Sequence, residues 1–444
     1  MIAGAAALAG CTGDDGDDEQ TDDTVDRCEQ FGPDADLTEC DLSGTTITDQ
    51  DLTGASFAGA DLSNATLRDV ILTEAVLDNV TANEITMETV VAEEVHGEAV
   101  VMPSAELTDV GLSGAELPSW NLTEANLADV DFTDAELPQI NFSDGTGTDI
   151  ELTNAELVNA ELEQLELESS FGEAVDLTHA HLAGASLTTI EWPNAILHHA
   201  NFTGTHIELS NFRGAELSGA DFSDATIIGG VFHQCDLSGS DFTGASVELL
   251  EMRGATFTDA RIVDANLSGA DLQETDLTHS SCSGTDLSEA NLTDATCQGV
   301  DFGPIEDIEI PAAILTDATL TGTDLVESSI ASVDLSYADL RGADLTAING
   351  QEAIARDIDA REANFVEADL TDARFVGADL LFADFTNATV DGADFKDADL
   401  TEAIWIDGGS VRMRRVLARP GNRRIVEGSN AINSALYQGY NGVP

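Results

Sequence analysis

The sequence predicts an all-β solenoid, and three observations predict it. Apolar residues recur at nearly every fifth position, a small residue stands two positions before most of them, and polar residues fill nearly everything else. From Leu37 the apolar centres run Leu42, Ile47, Leu52, Phe57, Leu62, Leu67, Leu72 and Leu77, and the phase holds to Phe302. Of these 54 pentads, 47 carry Leu, Ile, Val, Phe, Met or Trp at the centre and 25 carry Ala two residues earlier. A spacing of five suits neither a helix, with its period of 3.6, nor a flat strand, with its period of 2. It suits a coil of short straight sides in which every pentad turns a corner and sends its centre and its small residue inward. Four such sides close a turn of twenty residues, and each turn can bury its core only against its neighbours.

The phenylalanines test the four-sided geometry. Phe202, Phe212, Phe222, Phe232 and Phe242 alternate with Ile207, Leu217, Ile227 and Leu237, and the alternation returns as Phe365, Phe375, Phe385 and Phe395. Ten residues are half a turn, so the rings are expected on opposite sides, facing one another, with aliphatic residues on the other pair of sides. Residues 80–101, VTANEITMETVVAEEVHGEAVV, keep the phase but exchange sizes. The centres are Ala82, Met87, Ala92, Gly97 and Met102, and the preceding inward residues are Val80, Ile85, Val90, Val95 and Val100. Core volume is roughly conserved, which packed interiors tolerate better than a net change, so the coil is expected to continue. Ile348 with Gly350 and Ile358 with Ala360 repeat the exchange. The phase slips once, after Phe302, where GPIEDIEIPAAIL moves the centres to Ile310, Leu315, Leu320 and Leu325. Pro304 and Pro311 mark that stretch as a loop or kink.

The repeated unit, A-D/N-L-S/T-G, resembles the pentapeptide-repeat family over roughly residues 35–405. That resemblance implies a right-handed quadrilateral β-helix, here of about 18 coils, and at the strand spacing of about 4.8 Å a rod on the order of 90 Å long. Six segments follow: 1–11, a truncated lipoprotein signal; 12–34, an acidic tether; 35–302, the repeat helix; 303–309, the phase-breaking loop; 310–405, the helix continued; and 406–444, an arginine-rich cap or tail. The start, MIAGAAALAGC, resembles a lipobox ending in Leu8-Ala9-Gly10-Cys11, which implies cleavage before Cys11 and a lipid on its sulfur. The absent basic n-region places the true start upstream of Met1. The acidic stretch after Cys11 has little to bury and reads as a tether.

Cys28 and Cys40 flank the first coil in an exported context and are candidates for a disulfide that closes the N-terminal end. Cys235, Cys282 and Cys297 fall at inward positions, where cysteine acts as a small buried hydrophobe. At the other end, SVRMRRVLARPGNRRI holds six arginines. It reads as a cap, a dimerisation element, an arm along the acidic body or the product of a shifted reading frame near Gly408.

Catalytic signatures are missing. The sequence holds no Gly-rich phosphate loop, HExxH, GxSxG or CxxC pair, and a filled solenoid offers no pocket for its carboxylates to act as acid and base. The expectation is a protein that is not an enzyme and has no cofactor. One constellation rises above the repeat: His179 and His199 are one turn apart in the same outward slot, with His181 and His198 beside them. That makes a candidate site for a borderline metal such as zinc or nickel. Eight N-x-S/T sequons, at Asn64, Asn79, Asn121, Asn141, Asn201, Asn266, Asn291 and Asn387, arise mostly as forms of the repeat itself.

Charge supplies the remaining signal. The chain has 85 Asp and Glu against 16 Lys and Arg, a net charge of -69, and Lys396 is its single lysine. Direct nucleic-acid binding is excluded by that balance, and inorganic cations are expected along the acidic face. The first functional reading is a lipid-anchored, cell-surface interaction or scaffold rod of a salt-adapted prokaryote, with an unidentified protein partner, contact with the membrane through the lipid alone, and residues 406–444 as a candidate homodimer contact. The second comes with the resemblance, since some pentapeptide-repeat proteins mimic DNA and occupy topoisomerases. Over 90 Å the expected charge is roughly one per 1.4 Å, close to the one per about 1.7 Å of duplex DNA. The third is cation or metal sequestration.

Overall fold

The computed structural model describes residues 27–305 and 311–405. They form an all-β parallel solenoid in two compact units, divided between Glu216 and Leu217. The first unit carries β1 (Thr46–Thr48), β2 (Thr66–Ile71), β3 (Thr86–Val91), β4 (Glu106–Gly111), β5 (Asn126–Asp131), β6 (Thr146–Glu151), β7 (Glu166–Glu168), β8 (Ser186–Thr188) and β9 (His206–Glu208). Each strand pairs in parallel with the next at an offset of twenty residues, as in Leu67↔Met87 and Met87↔Leu107. Single parallel bridges with the same offset, Asp36↔Ser56, Asp41↔Asp61 and Asp51↔Ile71, supply the other three sides of the turn. The second unit carries β10 (Thr226–Ile228) and β11 (Ser246–Glu248), which pair likewise. Bridges then continue from Asp221↔Asp241 to Asp384↔Ile404.

Most pentads build their corner in one way. The amide of Ala60 donates to the carbonyl of Phe57 at 2.8 Å, and Gly59 between them has φ of 70°. This is the third-position geometry of a type II turn. The amides of Phe57 and Gly59 donate onward to Val76 and Asp78 of the next turn, and the amide of Ser56 donates back to Ala35. With so many backbone bonds fixing it, the corner forces even Leu209, Leu249, Tyr337 and Phe382 into positive φ. That strain costs an isolated residue about 1–2 kcal/mol. The same geometry turns these four side chains outward and explains their exposure.

Side length follows the inward residue at the strand's corner. Where that residue is Val70, Val90, Val110, Val130 or Ile150, the strand extends to six residues, β2 to β6. Where it is Ser170, Ile190 or Ser210, the strand stops at three, β7 to β9. A stack of β-branched side chains favours extended backbone through the corner, although Ile190 departs from that correlation.

The core is the double row of centres and small residues. In the size-exchanged stretch Val80, Ile85, Val95 and Val100 are fully buried, and Ala82, Ala92 and Met102 are buried beside them. The exchange is also made between turns. A Cβ added at Gly172 would lie 2.8 Å from Trp192 Cδ1, and one at Gly147 would lie 2.6 Å from Leu167 Cδ1. The bulk of the following turn therefore fills the space each glycine leaves. Replacement is incomplete there, and a cavity of about 30 Å³ remains, lined by apolar side chains that include Phe142, Ile150, Leu167 and Trp192. At Gly97 the obstacle is backbone, since an added Cβ would stand 2.7 Å from the carbonyl carbon of Leu77. Gly97→Ala is expected to destabilise the first unit by about 1–3 kcal/mol, although Ala82 and Ala92 occupy the equivalent centres. Chemical denaturation of the two proteins side by side checks this, and an unchanged midpoint would contradict it.

The phenylalanine rings face and stack as the ten-residue alternation requires. Phe365 stacks on Phe385 at 4.9 Å and Phe375 on Phe395 at 5.1 Å, one turn apart. Phe365 meets Phe375, and Phe385 meets Phe395, edge to face at 5.7 and 5.8 Å across the core. Phe222 and Phe242 stack at 4.7 Å.

The phase slip is an insertion of eight residues. Partners are twenty apart up to Ser281↔Asp301, twenty-eight apart from Asp286↔Ile314 to Asp301↔Ser329, and twenty apart again from Ile314↔Asp334. The side centred on Leu315 thus follows the side centred on Phe302. The amide of Ala313 donates to the carbonyl of Phe302 at 2.8 Å, the bond that closes an ordinary corner. Ile310, expected from the spacing as the first resumed centre, lies outside the described residues.

Candidate functional site

The outer surface is built from one local device. Asp41 Oδ1 accepts from the Ser43 amide at 3.1 Å and the Ser43 hydroxyl at 2.6 Å, and Asp51 does the same with Thr53 at 3.1 and 2.7 Å. Asn121 with Thr123 and Asn201 with Thr203 form the same pair of bonds. The repeat therefore favours Asp or Asn before a centre and Ser or Thr after it, because the side-chain oxygen satisfies an amide left over at the corner. The Ser43 hydroxyl, then its amide, hold the Asp41 carboxyl below the ordinary range, and Thr53 does so for Asp51. Asp369 is lowered chiefly by the Thr371 hydroxyl.

These shifts fix the sign of an acid effect. A carboxylate with a depressed folded pKa contributes stability that is present above its unfolded value, about 3.9 for Asp, and is lost as pH falls through the folded value. Thermal stability at fixed high salt is expected to fall as the pH drops below about 4. A melting temperature that rises on acidification would overturn this assignment.

One turn apart, these carboxylates stack. Glu116, Glu136, Glu156 and Asp176 form one ladder of parallel partners, and Asp339, Asp359, Asp379 and Asp399 form another. The second ladder is laced with cations. Arg341 Nη2 lies 2.6 Å from Asp339 Oδ2 and its Nε 3.8 Å from Asp359, while Arg361 pairs with Asp359 and places its Nε 3.8 Å from Asp379. Each arginine thus spans two rungs, and Arg341 is what chiefly depresses the Asp339 carboxyl. The sequence reading missed these two arginines. The signal was present in their twenty-residue spacing, two positions after consecutive ladder acids.

The four candidate metal histidines occupy separate positions. His179 and His199 stack face to face, 5.2 Å between ring centres and 11° from parallel, at the same corner of successive turns. His198 Nε2 lies 2.9 Å from Glu216 Oε2. His181 Nδ1 faces two carboxylates, Glu161 Oε2 at 3.4 Å and Glu163 Oε1 at 3.6 Å. Among the described residues, the three that bring ligand atoms within 4.8 Å of one another are Glu161, Glu163 and His181. One expected histidine is therefore joined by two carboxylates rather than by the other three imidazoles. Stacked in this way, the His179 and His199 rings present their faces, not their nitrogen edges, to each other.

Cys28 and Cys40 are joined by a disulfide, with Cα atoms 5.7 Å apart. Beside it Arg27 pairs with Asp36 at 3.1 Å. Cys235, Cys282 and Cys297 are buried, and burial pushes the Cys282 thiol up to about 12. Cys11 and the arginine-rich segment 406–444 lie outside the described residues. No helix of the described residues is long and apolar enough to cross a membrane.

Among solved structures, the chain is similar to HetL, a pentapeptide repeat protein involved in heterocyst differentiation regulation from the cyanobacterium Nostoc sp. strain PCC 7120. The two share 27% identity over 62% of this chain and 92% of that one, with a TM-score of 0.22. It is also similar to QnrB1, a plasmid-mediated fluoroquinolone resistance protein, at 20% identity over 43% of this chain and 91% of that one, with a TM-score of 0.31. A comparison with curated protein sequences gave no match. The family model described as pentapeptide repeats matches residues 34–69, 105–144, 173–214, 195–234, 209–244, 235–273, 270–303, 313–349 and 363–402. The stretches it leaves out include 70–104 and 350–362, where large and small inward residues change places while the backbone pairing continues. With well over half its length matched and the coil present on both sides of each gap, the chain belongs to the pentapeptide-repeat family.

Proposed function

We propose that this non-enzymatic repeat protein is exported, anchored through a lipid on Cys11, and serves at the cell surface of a salt-adapted prokaryote as an interaction or scaffold element. The observation that carries the proposal is the Cys28–Cys40 disulfide, because such bonds persist in oxidising compartments. The Leu8-Ala9-Gly10-Cys11 stretch ahead of it supplies an address of matching kind. Acid ladders laced by few cations agree with a salt-rich setting, where screening relieves them. Cell fractionation with mass analysis of the N-terminal peptide tests the reading. The expected result is membrane-bound protein with a diacylated Cys11 and oxidised Cys28 and Cys40; soluble cytoplasmic protein with an unmodified, reduced N-terminus would sink it.

The ladders favour a second reading, that of a polyanion mimic occupying the DNA site of a topoisomerase. Regularly stacked carboxylates such as Glu116 to Asp176 present charge at near-constant spacing. A DNA supercoiling assay with purified topoisomerase separates the two, since a surface scaffold has no reason to inhibit it.

A further inference from the structure

We infer that Glu161, Glu163 and His181 form a binding site for a single borderline divalent cation, zinc by preference, in the first unit. This site is distinct from diffuse cation attraction along the ladders. Three observations carry it. The first is chemical: two carboxylate oxygens and one imidazole nitrogen converge with all ligand atoms within 4.8 Å. Such a mixed oxygen and nitrogen set suits zinc better than calcium, which takes oxygen alone.

The second is metric. The His181 nitrogen stands 3.4 and 3.6 Å from the two oxygens, long for a charge-assisted hydrogen bond of about 2.7–2.9 Å. Ligands about 2.0–2.2 Å from a tetrahedral zinc lie roughly 3.3–3.6 Å from one another. The two distances from the imidazole nitrogen to the carboxylate oxygens are therefore those of edges in a metal's coordination shell, and the third pair lies within 4.8 Å. His198 with Glu216 and His233 with Glu251, at 2.9 and 3.0 Å, are hydrogen-bonded pairs by contrast.

The third is the way the repeat rule is broken. The position two residues after the outward acid ordinarily carries Ser or Thr, whose hydroxyl and amide occupy that acid, as at Asp41 with Ser43 and Asp51 with Thr53. Here Glu163 takes that position and adds a second carboxylate instead of a donor. The hydroxyl comes from the preceding turn, where Ser143 Oγ donates to Glu163 Oε2 at 3.1 Å. That bond leaves Glu163 Oε1 to face His181, as the outer partner of a metal ligand does. The backbone is fixed on both sides, since the His181 amide donates to Ala160 at 2.8 Å and the Leu162 amide to His181 at 2.7 Å. The ligand spacing is thereby set by the coil rather than by a loop.

Titration of the full-length protein with zinc, in about 1 M sodium chloride to screen the ladders, tests this, with cobalt(II) as a spectroscopic substitute. One saturable site with a visible cobalt absorption is expected. His181→Ala and Glu163→Gln are each expected to weaken it at least tenfold, Ser143→Ala several-fold, and His198→Ala not at all. Circular dichroism would establish that the variants keep the fold, as their exposed positions imply. Calcium bound as tightly as zinc, or zinc binding unchanged in His181→Ala, would overturn the site and leave only an acidic surface.

Discussion

Raising sodium chloride from about 0.01 to about 1 M is expected to raise the melting temperature by on the order of 10 °C. The cause is the vertical repetition of acids. Partners such as Glu116, Glu136 and Glu156 sit one turn apart, at roughly 4.8 Å. Two unit charges near that distance repel by about 1 kcal/mol in bulk water. At about 0.01 M the Debye length is about 30 Å and hardly weakens this, whereas at about 1 M it is about 3 Å and removes most of it. Many rungs add, because a solenoid's stability is a sum of neighbouring interfaces. The ladders also predict where the effect concentrates. Among the described residues, Glu116 to Asp176 has no arginine laced along it of the kind that Arg341 and Arg361 supply to Asp339, Asp359 and Asp379. Glu136→Gln should therefore raise the melting temperature at low salt and leave it unchanged at high salt. Arg361→Gln should lower it most at low salt. A flat salt profile in the parent protein would mean that the stacked acids relax away from one another, and that acidity does not limit the stability of this coil.

The fold was legible because its determinants are local and repeated. Leu37 and every fifth residue after it must point inward if anything is to be buried, and the structure places those residues in the core. The alternation of Phe365, Phe375, Phe385 and Phe395 specified four sides, and the stacked and edge-to-face rings agree. Spacing alone could not resolve how a fault in the phase is absorbed. From Phe302 to Ile310 the sequence reads as an eight-residue step, while the pairing of Asp286 with Ile314 makes it a loop inserted at one corner. The candidate site was less legible for a related reason. Position on the coil says which side chains share a slot, and so it grouped His179 with His199 correctly. It does not say where a long side chain ends. Glu161 and His181 share a slot as well, and only the rotamers show that Glu163, two residues along, swings its carboxylate to the same point.

Phe385→Ala is expected to cost about 3–5 kcal/mol, the range for removing a buried ring, and the loss should stay local. Phe385 is fully buried. It stacks on Phe365 at 4.9 Å, meets Phe375 and Phe395 edge to face at 6.4 and 5.8 Å, and tilts against Trp405 at 5.4 Å. One truncation thus opens a void against both neighbouring turns and the opposite side at once, and each aromatic pair adds about 0.5–1.5 kcal/mol beyond the area buried. Phe385→Leu separates the two contributions. A leucine restores most of the volume, as Leu370 and Leu380 do on the other pair of sides, but none of the ring stacking. It should therefore recover more than half of the stability. Hydrogen exchange locates the damage: amides of residues 363–405 should exchange faster in Phe385→Ala, while those of β10 and β11 in the same unit keep their protection, because each turn is held by its immediate neighbours. Equal acceleration at β10 and β11 would mean that the second unit unfolds as one cooperative block, and that the ring ladder binds its turns more tightly than nearest-neighbour stacking allows.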